Sequence, residues 1–241
     1  MKLQLMKPQL SLFALTGLLA CGGSVANAQL LFNGNLDLTN TGPQFLPTPV
    51  GWSVNSSTPN GPFNDGCSSE MFANVLAPGG FGLFFKPFQG ATTNKITVDF
   101  YQNVAATAGV SYTLTGWAGA GANYIGLTDS TVQSLFHITF LGSTSNTLLN
   151  VTLDLAAAGL GAGAPTAPAT GFGYHPFTLS AIAPAGTVFM AVGAEMVNAY
   201  NNPLGGDQAF VVDSFTLVPE PGALSLAALG MASLLAFRRR R

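Results

Sequence analysis

The chain is 241 residues long, 48% hydrophobic and only 7% charged, with 29 glycines and 15 prolines. Soluble domains carry about 25% charge, so this composition argues against an ordinary cytosolic enzyme, while the apolar content argues against a disordered polymer. Six of the eight positive charges lie at the two ends, and residues 29–218 keep only Lys86 and Lys95 against nine acids, a balance that excludes phosphate-backbone binding and with it a nucleic-acid partner.

Residues 1–28 read as a secretory signal peptide. Lys2 and Lys7 make the start cationic, residues 10–20 are apolar, and a small-residue stretch closes with Ala26-Asn27-Ala28. Cleavage is expected after Ala28, with Ala26 and Ala28 as the small residues of the cleavage site. A lipoprotein signal is the rival, because Leu18-Leu19-Ala20-Cys21 approximates the box whose Cys is acylated, although Leu19 fits it poorly. With cleavage after Ala28, Cys67 is the single mature thiol, so no intrachain disulfide is expected.

Residues 29–218 are enough for one all-β domain. In chain order the strand candidates are 30–38, 51–54, 81–88, 95–101, 111–115, 135–140, 150–155, 174–180, 187–197 and 209–218. Alternation carries several of them: Ile96, Val98 and Phe100 face one way and Thr97, Asp99 and Tyr101 the other. Phe136, Ile138 and Phe140 likewise oppose His137 and Thr139, which places His137 on a solvent face. No helical period of ten or more residues competes. Ala77-Pro78-Gly79-Gly80, Pro184-Ala185-Gly186 and the Asn/Pro/Gly cluster at 201–206 supply turn chemistry. The charge-free tract 156–173 reads as a long loop, or as a short helical turn followed by a flexible connection, or as a linker between two domains. Cys67 sits in a Gly-Cys-Ser-Ser loop. The pattern predicts an antiparallel β-sandwich.

At the C-terminus Val218-Pro219-Glu220-Pro221 precedes an uncharged run, 222–237, and then Arg238, Arg239, Arg240 and Arg241. Sixteen residues make a helix of about 24 Å, short of a roughly 30 Å hydrocarbon core but adequate with snorkelling arginines. The arginines act as a membrane stop that holds the end in the cytoplasm. A buried core helix is the alternative reading of 222–237, opposed by its apolar surface on every side. These three parts in this order, on a chain that opens with a signal peptide, resemble the PEP-CTERM sorting domain. The resemblance implies recognition of Pro219, Glu220 and Pro221 by an exosortase, a membrane-embedded cysteine protease-transpeptidase of Gram-negative bacteria that make extracellular polysaccharide. It further implies an inner-membrane anchored precursor and a mature form at the cell surface or outside the cell. The organisation expected is signal peptide 1–28, sandwich 29–218 and sorting segment 219–241.

A second resemblance rests on short motifs spread over the body. Leu31-Phe32-Asn33-Gly34-Asn35-Leu36-Asp37, then Pro49-Val50-Gly51-Trp52, then Gln102-Asn103-Val104 with the 108–114 strand, and finally Phe210-Val211-Val212-Asp213 are similar to galactose-binding-like jelly-roll carbohydrate-binding modules. Asp37 stands where those modules have Glu, and Val212 where they have the first of two acids. The resemblance implies that first and last strands lie side by side, which would bring Asp37 and Asp213 together as candidate ligands of a structural Ca²⁺; each is otherwise an ordinary surface acid. A sugar site needs flat aromatics beside hydrogen-bonding groups, and Trp117, Tyr124 and Asp129 are the candidates, with Tyr101 and Asn123 near them. The competing reading makes each aromatic a core residue, Trp52 above all.

Catalytic constellations are not evident. His137 and His175 lack metal-ligand spacing, there is no nucleophile elbow, and no basic partner flanks Cys67. The expected function is therefore that of an exported, exosortase-sorted structural or adhesive protein, not an enzyme, with weak binding of extracellular polysaccharide as a further possibility. A secreted glycan-active hydrolase is the alternative, because nine acids leave many carboxylate pairs whose spacing only the fold determines.

Overall fold

The alternation that marks residues 95–101 runs on to residue 105, and its register places Ile96, Val98 and Phe100 in complete burial. In the computed structural model, which describes residues 29–41, 47–57, 66–75, 80–161 and 172–220, the same logic repeats strand after strand. The strands are β1 (Thr39–Thr41), β2 (Pro47–Pro49), β3 (Ser53–Ser56), β4 (Cys67–Glu70), β5 (Gly82–Phe85), β6 (Ile96–Ala105), β7 (Ser111–Ala120), β8 (Gln133–Leu141), β9 (Thr147–Asp154), β10 (His175–Ile182), β11 (Phe189–Ala199) and β12 (Phe210–Pro219).

Two five-stranded antiparallel sheets result, ordered β10-β7-β12-β5-β4 and β3-β6-β11-β8-β9, with β1 and β2 as a separate two-stranded ribbon. Their inner faces share one core. Phe100, Phe136, Phe140 and Val192 come from one sheet, and Phe85, Leu114, Phe210 and Leu217 from the other. This is the expected all-β sandwich. Tripeptide ribbons such as β1 and β2, and β4 with its Ser-Ser, carry too little pattern to be foreseen. Cys67 accordingly lies buried in a strand and not in a loop.

Three further departures have physical causes. Residues 30–38 form turns and irregular chain instead of a strand, because Asn33 and Leu36 take φ of 51° and 58°. The Asn33 amide holds that shape by donating to the carbonyls of Leu38 (2.8 Å) and Val50 (3.1 Å) while its oxygen accepts from the Leu38 N–H. His137 points outward by register yet is 4% exposed, because Asp99 on β6 reaches it across β11. Finally, β12 carries a bulge between Asp213 and Thr216, with Ser214 at φ 53°. The extra residue exchanges the two faces: Val211 and Asp213 point outward before it, and Phe215 and Leu217 inward after it.

The outer face of the β12 sheet is not bare. Ala73, Val75, Tyr174, Ala209 and Val211 form a second buried cluster there, with Phe84, Trp117 and Phe172 packed against it. Among the described residues no helix is long and apolar enough to cross a membrane. The expected signal peptide with Ala26 and Ala28, Pro221, the run 222–237, Arg238 to Arg241 and most of the tract 156–173 lie outside the described residues.

Candidate functional site

The N-terminal motif builds a clasp along β12. Gly34 must be glycine because a Cβ there would sit 2.2 Å from the Phe215 carbonyl oxygen, where the Phe215 N–H bonds to Gly34 O at 2.7 Å. The Trp52 indole donates to Asn33 O (3.0 Å) and stacks on Phe100 at 4.5 Å and 6°, so it is a core residue. The Gln102 amide bonds both the N–H and the carbonyl of Phe32 and also Gly51 O, locking β6 to the clasp.

The clasp delivers Asp37 to the outer face where the bulge leaves Asp213. Asp213 is 1% exposed and accepts from the N–H groups of Val75 (2.8 Å) and Ser214 (2.5 Å). Burial pushes its carboxyl up to about 7, against the lowering effect of those two bonds, and the nearby Asp37 charge adds to the rise. Asp37 accepts from the Phe81 N–H (2.9 Å) and from the Asn35 amide (2.6 Å). Gly80 packs so closely that a Cβ would lie 2.4 Å from Asp37 Oδ1 and 1.9 Å from the Asn74 amide. Two hard oxygen donors of like charge, one of them buried, match the donor chemistry of Ca²⁺. Among the described residues no third His, Cys, Asp or Glu joins them, so carbonyl and water oxygens would have to complete the shell.

The second cluster opens into a groove of about 400 Å³, lined by Phe72, Phe84, Phe88 and Phe172 together with Asp207 and Gln208. Phe72 and Phe88 keep 47% and 46% of their surface in solvent, a large exposure for neighbouring phenyl rings. The rings contact one another in tilted and edge-on pairs, Phe72 to Phe84 at 5.2 Å and Phe84 to Phe88 at 6.1 Å. Phe88 also borders a second depression of about 460 Å³ whose walls include Gln89, Thr92, Asn94 and Asn201. An apolar platform thus adjoins a row of amides and a hydroxyl.

The aromatics singled out from the sequence lie elsewhere. Tyr124 is 1% exposed, bonds Ser134 through its hydroxyl (2.7 Å) and stacks near Phe210, and burial drives its phenol far above the ordinary range. It has no surface for a ligand. Trp117 supports the second cluster from β7, opposite Asp213 and Pro176, without lining the groove. Asp129 organises its own loop: bonds from the Thr131 N–H and hydroxyl and from Tyr200 hold its carboxyl down at about 2. Trp117, Tyr124 and Asp129 therefore do not converge.

On the outer face of the other sheet, Asp99 and Glu195 are direct cross-strand partners, and His137 Nε2 approaches Asp99 Oδ1 to 3.0 Å without hydrogen-bond alignment. Burial, then the Asp99 charge, raises the Glu195 carboxyl, and His137 opposes the rise.

Pro219 and Glu220 stand at the end of β12. Pro219 is the register partner of Tyr112, and the Glu220 N–H donates to Ser111 O at 2.8 Å. The Glu220 carboxylate accepts from the Thr113 hydroxyl and, at 3.5 Å, from that of Ser111.

The fold defines an antiparallel two-sheet β-sandwich, and several carbohydrate-binding modules are among the solved structures it is similar to. The chain is similar to the enzymatically active domain of tailspike protein 4 of bacteriophage CBA120, with 11% identity and a TM-score of 0.52 over 80% of this chain and 21% of that one. It thus spans about a fifth of the tailspike chain. It is also similar to the stig cyclase Fisc of Fischerella sp. TAU (14% identity, TM-score 0.49, 81% of this chain and 98% of that one). A third likeness is to TmCBM61 in complex with β-1,4-galactotriose (12% identity, TM-score 0.45, 80% and 99%). At these identities only the fold is shared. No curated protein matches the chain. Residues 217–241 match the PEP-CTERM protein-sorting motif, which marks an exported surface protein.

Proposed function

We propose that this is a non-catalytic, exosortase-sorted surface or matrix protein of a Gram-negative bacterium, whose sandwich presents the Phe88 platform to extracellular polysaccharide as a weak, adhesive contact. The observation that carries the sorting half is the match of residues 217–241, starting within β12 and running to the arginines. Comparing mass and location of the protein with Pro219-Glu220-Pro221 intact and replaced tests it. A processed, surface-associated species should form only from the intact chain, and an unchanged mass and distribution would defeat the reading.

The binding half rests on the groove. Sugar rings present C–H faces that lie flat on aromatic rings, and their hydroxyls need the amide partners that Asn94 and Asn201 supply next to Phe88. Affinity electrophoresis in the host polysaccharide should show retardation that is lost in Phe72→Ala/Phe88→Ala with the thermal transition intact. Retardation unchanged by that pair removes the groove from the proposal. The inner-membrane anchor on 222–237 belongs to the same proposal, as does a structural Ca²⁺ between Asp37 and Asp213, tying the clasp to β12.

The hydrolase alternative is favoured by one observation, the Asp99–Glu195 pair. Direct cross-strand partners have Cβ atoms about 4.5–5.5 Å apart, which places both carboxylates on one face of the sheet, as a paired-carboxylate mechanism requires. Release of reducing ends from the polysaccharide, abolished by Glu195→Gln, would favour that reading over the binding one.

A further inference from the structure

The sorting motif is not free chain in this fold. Its first residues, 217–220, belong to β12 or to the bonds just beyond it. Leu217 turns its N–H and carbonyl away from β7: the N–H donates to Gln29 Oε1 (2.6 Å) and the carbonyl accepts from the Leu30 N–H (2.9 Å). Gln29 Nε2 also donates to Phe215 O (3.0 Å), so the N-terminal segment braces this part of β12 from one side while β7 pairs with the other. By strand alternation Pro219 shares the orientation of Leu217, and its missing N–H leaves no gap in the β7 ladder. Glu220 is then fastened by its backbone to Ser111 and by its carboxylate to Thr113 and Ser111. Ser180 Oγ lies 2.7 Å from the Thr113 hydroxyl, and since that hydroxyl gives its proton to Glu220, Ser180 donates to it. A three-residue relay, Ser180 to Thr113 to Glu220, holds the acid of the motif on β7.

We propose that the sandwich masks its own sorting motif, and that Ser111 and Thr113 set how often Pro219 and Glu220 detach for the enzyme. Resting on the sorting reading above, the inference adds the residues that govern access. A protease must surround an extended segment and use its backbone groups, and here β7 and the N-terminal segment flank it on both sides, with the Glu220 N–H already bonded to Ser111; the reactive species is the minor one in which the strand end has peeled away. Two exposed hydroxyl contacts are weak enough for thermal opening and strong enough to tune it.

The full-length chain, expressed in an exosortase-bearing host, is followed from precursor to processed form after a pulse. Ser111→Ala/Thr113→Val should be processed roughly threefold to tenfold faster, the change expected for losing about one net hydrogen bond from the closed state. Thr178→Val, an equally outward substitution on β10, should leave the rate unaltered. Thr113→Cys/Val218→Cys joins register partners on β7 and β12 without touching Pro219, Glu220 or Pro221. Its oxidised form should be processed at least about tenfold more slowly than its reduced form, which lacks the Thr113 hydroxyl and should run at least as fast as the unaltered chain. Rates unmoved by both hydroxyl loss and oxidation mean that the enzyme reads the motif while docked, which overturns the inference and leaves the sorting reading standing. Absence of any processing of the unaltered chain overturns both.

Discussion

Asp213 is a carboxylate held almost entirely out of solvent. Its carboxyl titrates at about 7 in the folded protein against 3.8 in free chain, chiefly through burial. Between those values the folded state holds a proton that the unfolded state has lost. The stability is therefore full below about pH 4 and drops by roughly 2–4 kcal/mol as pH climbs through 7. Calorimetry in chelator between pH 4.5 and 8 should show Tm falling with rising pH, and Asp213→Asn should flatten that slope. If Ca²⁺ sits between Asp37 and Asp213, millimolar Ca²⁺ should raise Tm at pH 8 and far less at pH 5, because the cation competes with the proton. A metal response that survives Asp213→Asn would place the ion elsewhere. Asn33 permits a second check at this scale. It makes three side-chain bonds, to Leu38 twice and to Val50, so Asn33→Ala should cost about 2–4 kcal/mol, measured by urea unfolding with an unchanged m-value.

At the level of elements, the bulge in β12 decides which residues face the site. Ser214 adopts φ 53°, a conformation that a side chain resists and glycine accepts, so Ser214→Gly should stabilise by about 0.5–1 kcal/mol. Ser214→Val should destabilise by more than that gain, since a β-branched residue is strained at this φ; equal and small effects would mean the bulge relaxes freely. Such features mark the boundary of what period-two reading reveals. β6 and β10 alternate cleanly against one core, whereas β8 and β11 are buried on both faces through their middles, which the alternation of β8 in the sequence does not convey. Residues 30–38 mislead because Leu30, Phe32, Leu36 and Leu38 mimic a strand, while the Asn33-Gly34 turn chemistry wins locally. The aromatic groove was harder still, since Phe72, the pair Phe84 and Phe88, and Phe172 come from three separate stretches that only folding assembles. One signal was present: Phe84 and Phe85 are adjacent, and a strand with aromatics on both parities is covered on both faces. Trp117 and Tyr124 drew attention by residue type alone, whereas burial, which type does not encode, removed Tyr124 from any surface role. Asp37 and Asp213 were legible as a pair only through the resemblance, and they meet by way of the clasp instead of by strand pairing.

For the molecule as a whole, the order of strands makes the C-terminal strand indispensable. β12 is the middle strand of its sheet, between β7 and β5, and it supplies Phe210, Val212, Phe215 and Leu217 to the main core. The N-terminal segment from Gln29 to Gly34 bonds to that same strand, so the sandwich closes only after residues from both ends have met. Contacts of such long sequence separation form late, because the loop must be closed before they reward it. The sorting segment follows β12 immediately, which ties the folding state of the body to presentation of the motif. A chain ending at Glu220 keeps every strand of the described residues and should match the full-length Tm within about 2 °C, whereas one ending at Ala209 loses the central strand and should show no cooperative transition. Near-ultraviolet circular dichroism, which reports the packing of Trp52 against Phe100 and Phe215, gives the same distinction without reference to activity. Should the Ala209 chain melt cooperatively with native-like aromatic signal, β12 would be an appended strand, and exposure of the motif would no longer be coupled to folding of the sandwich.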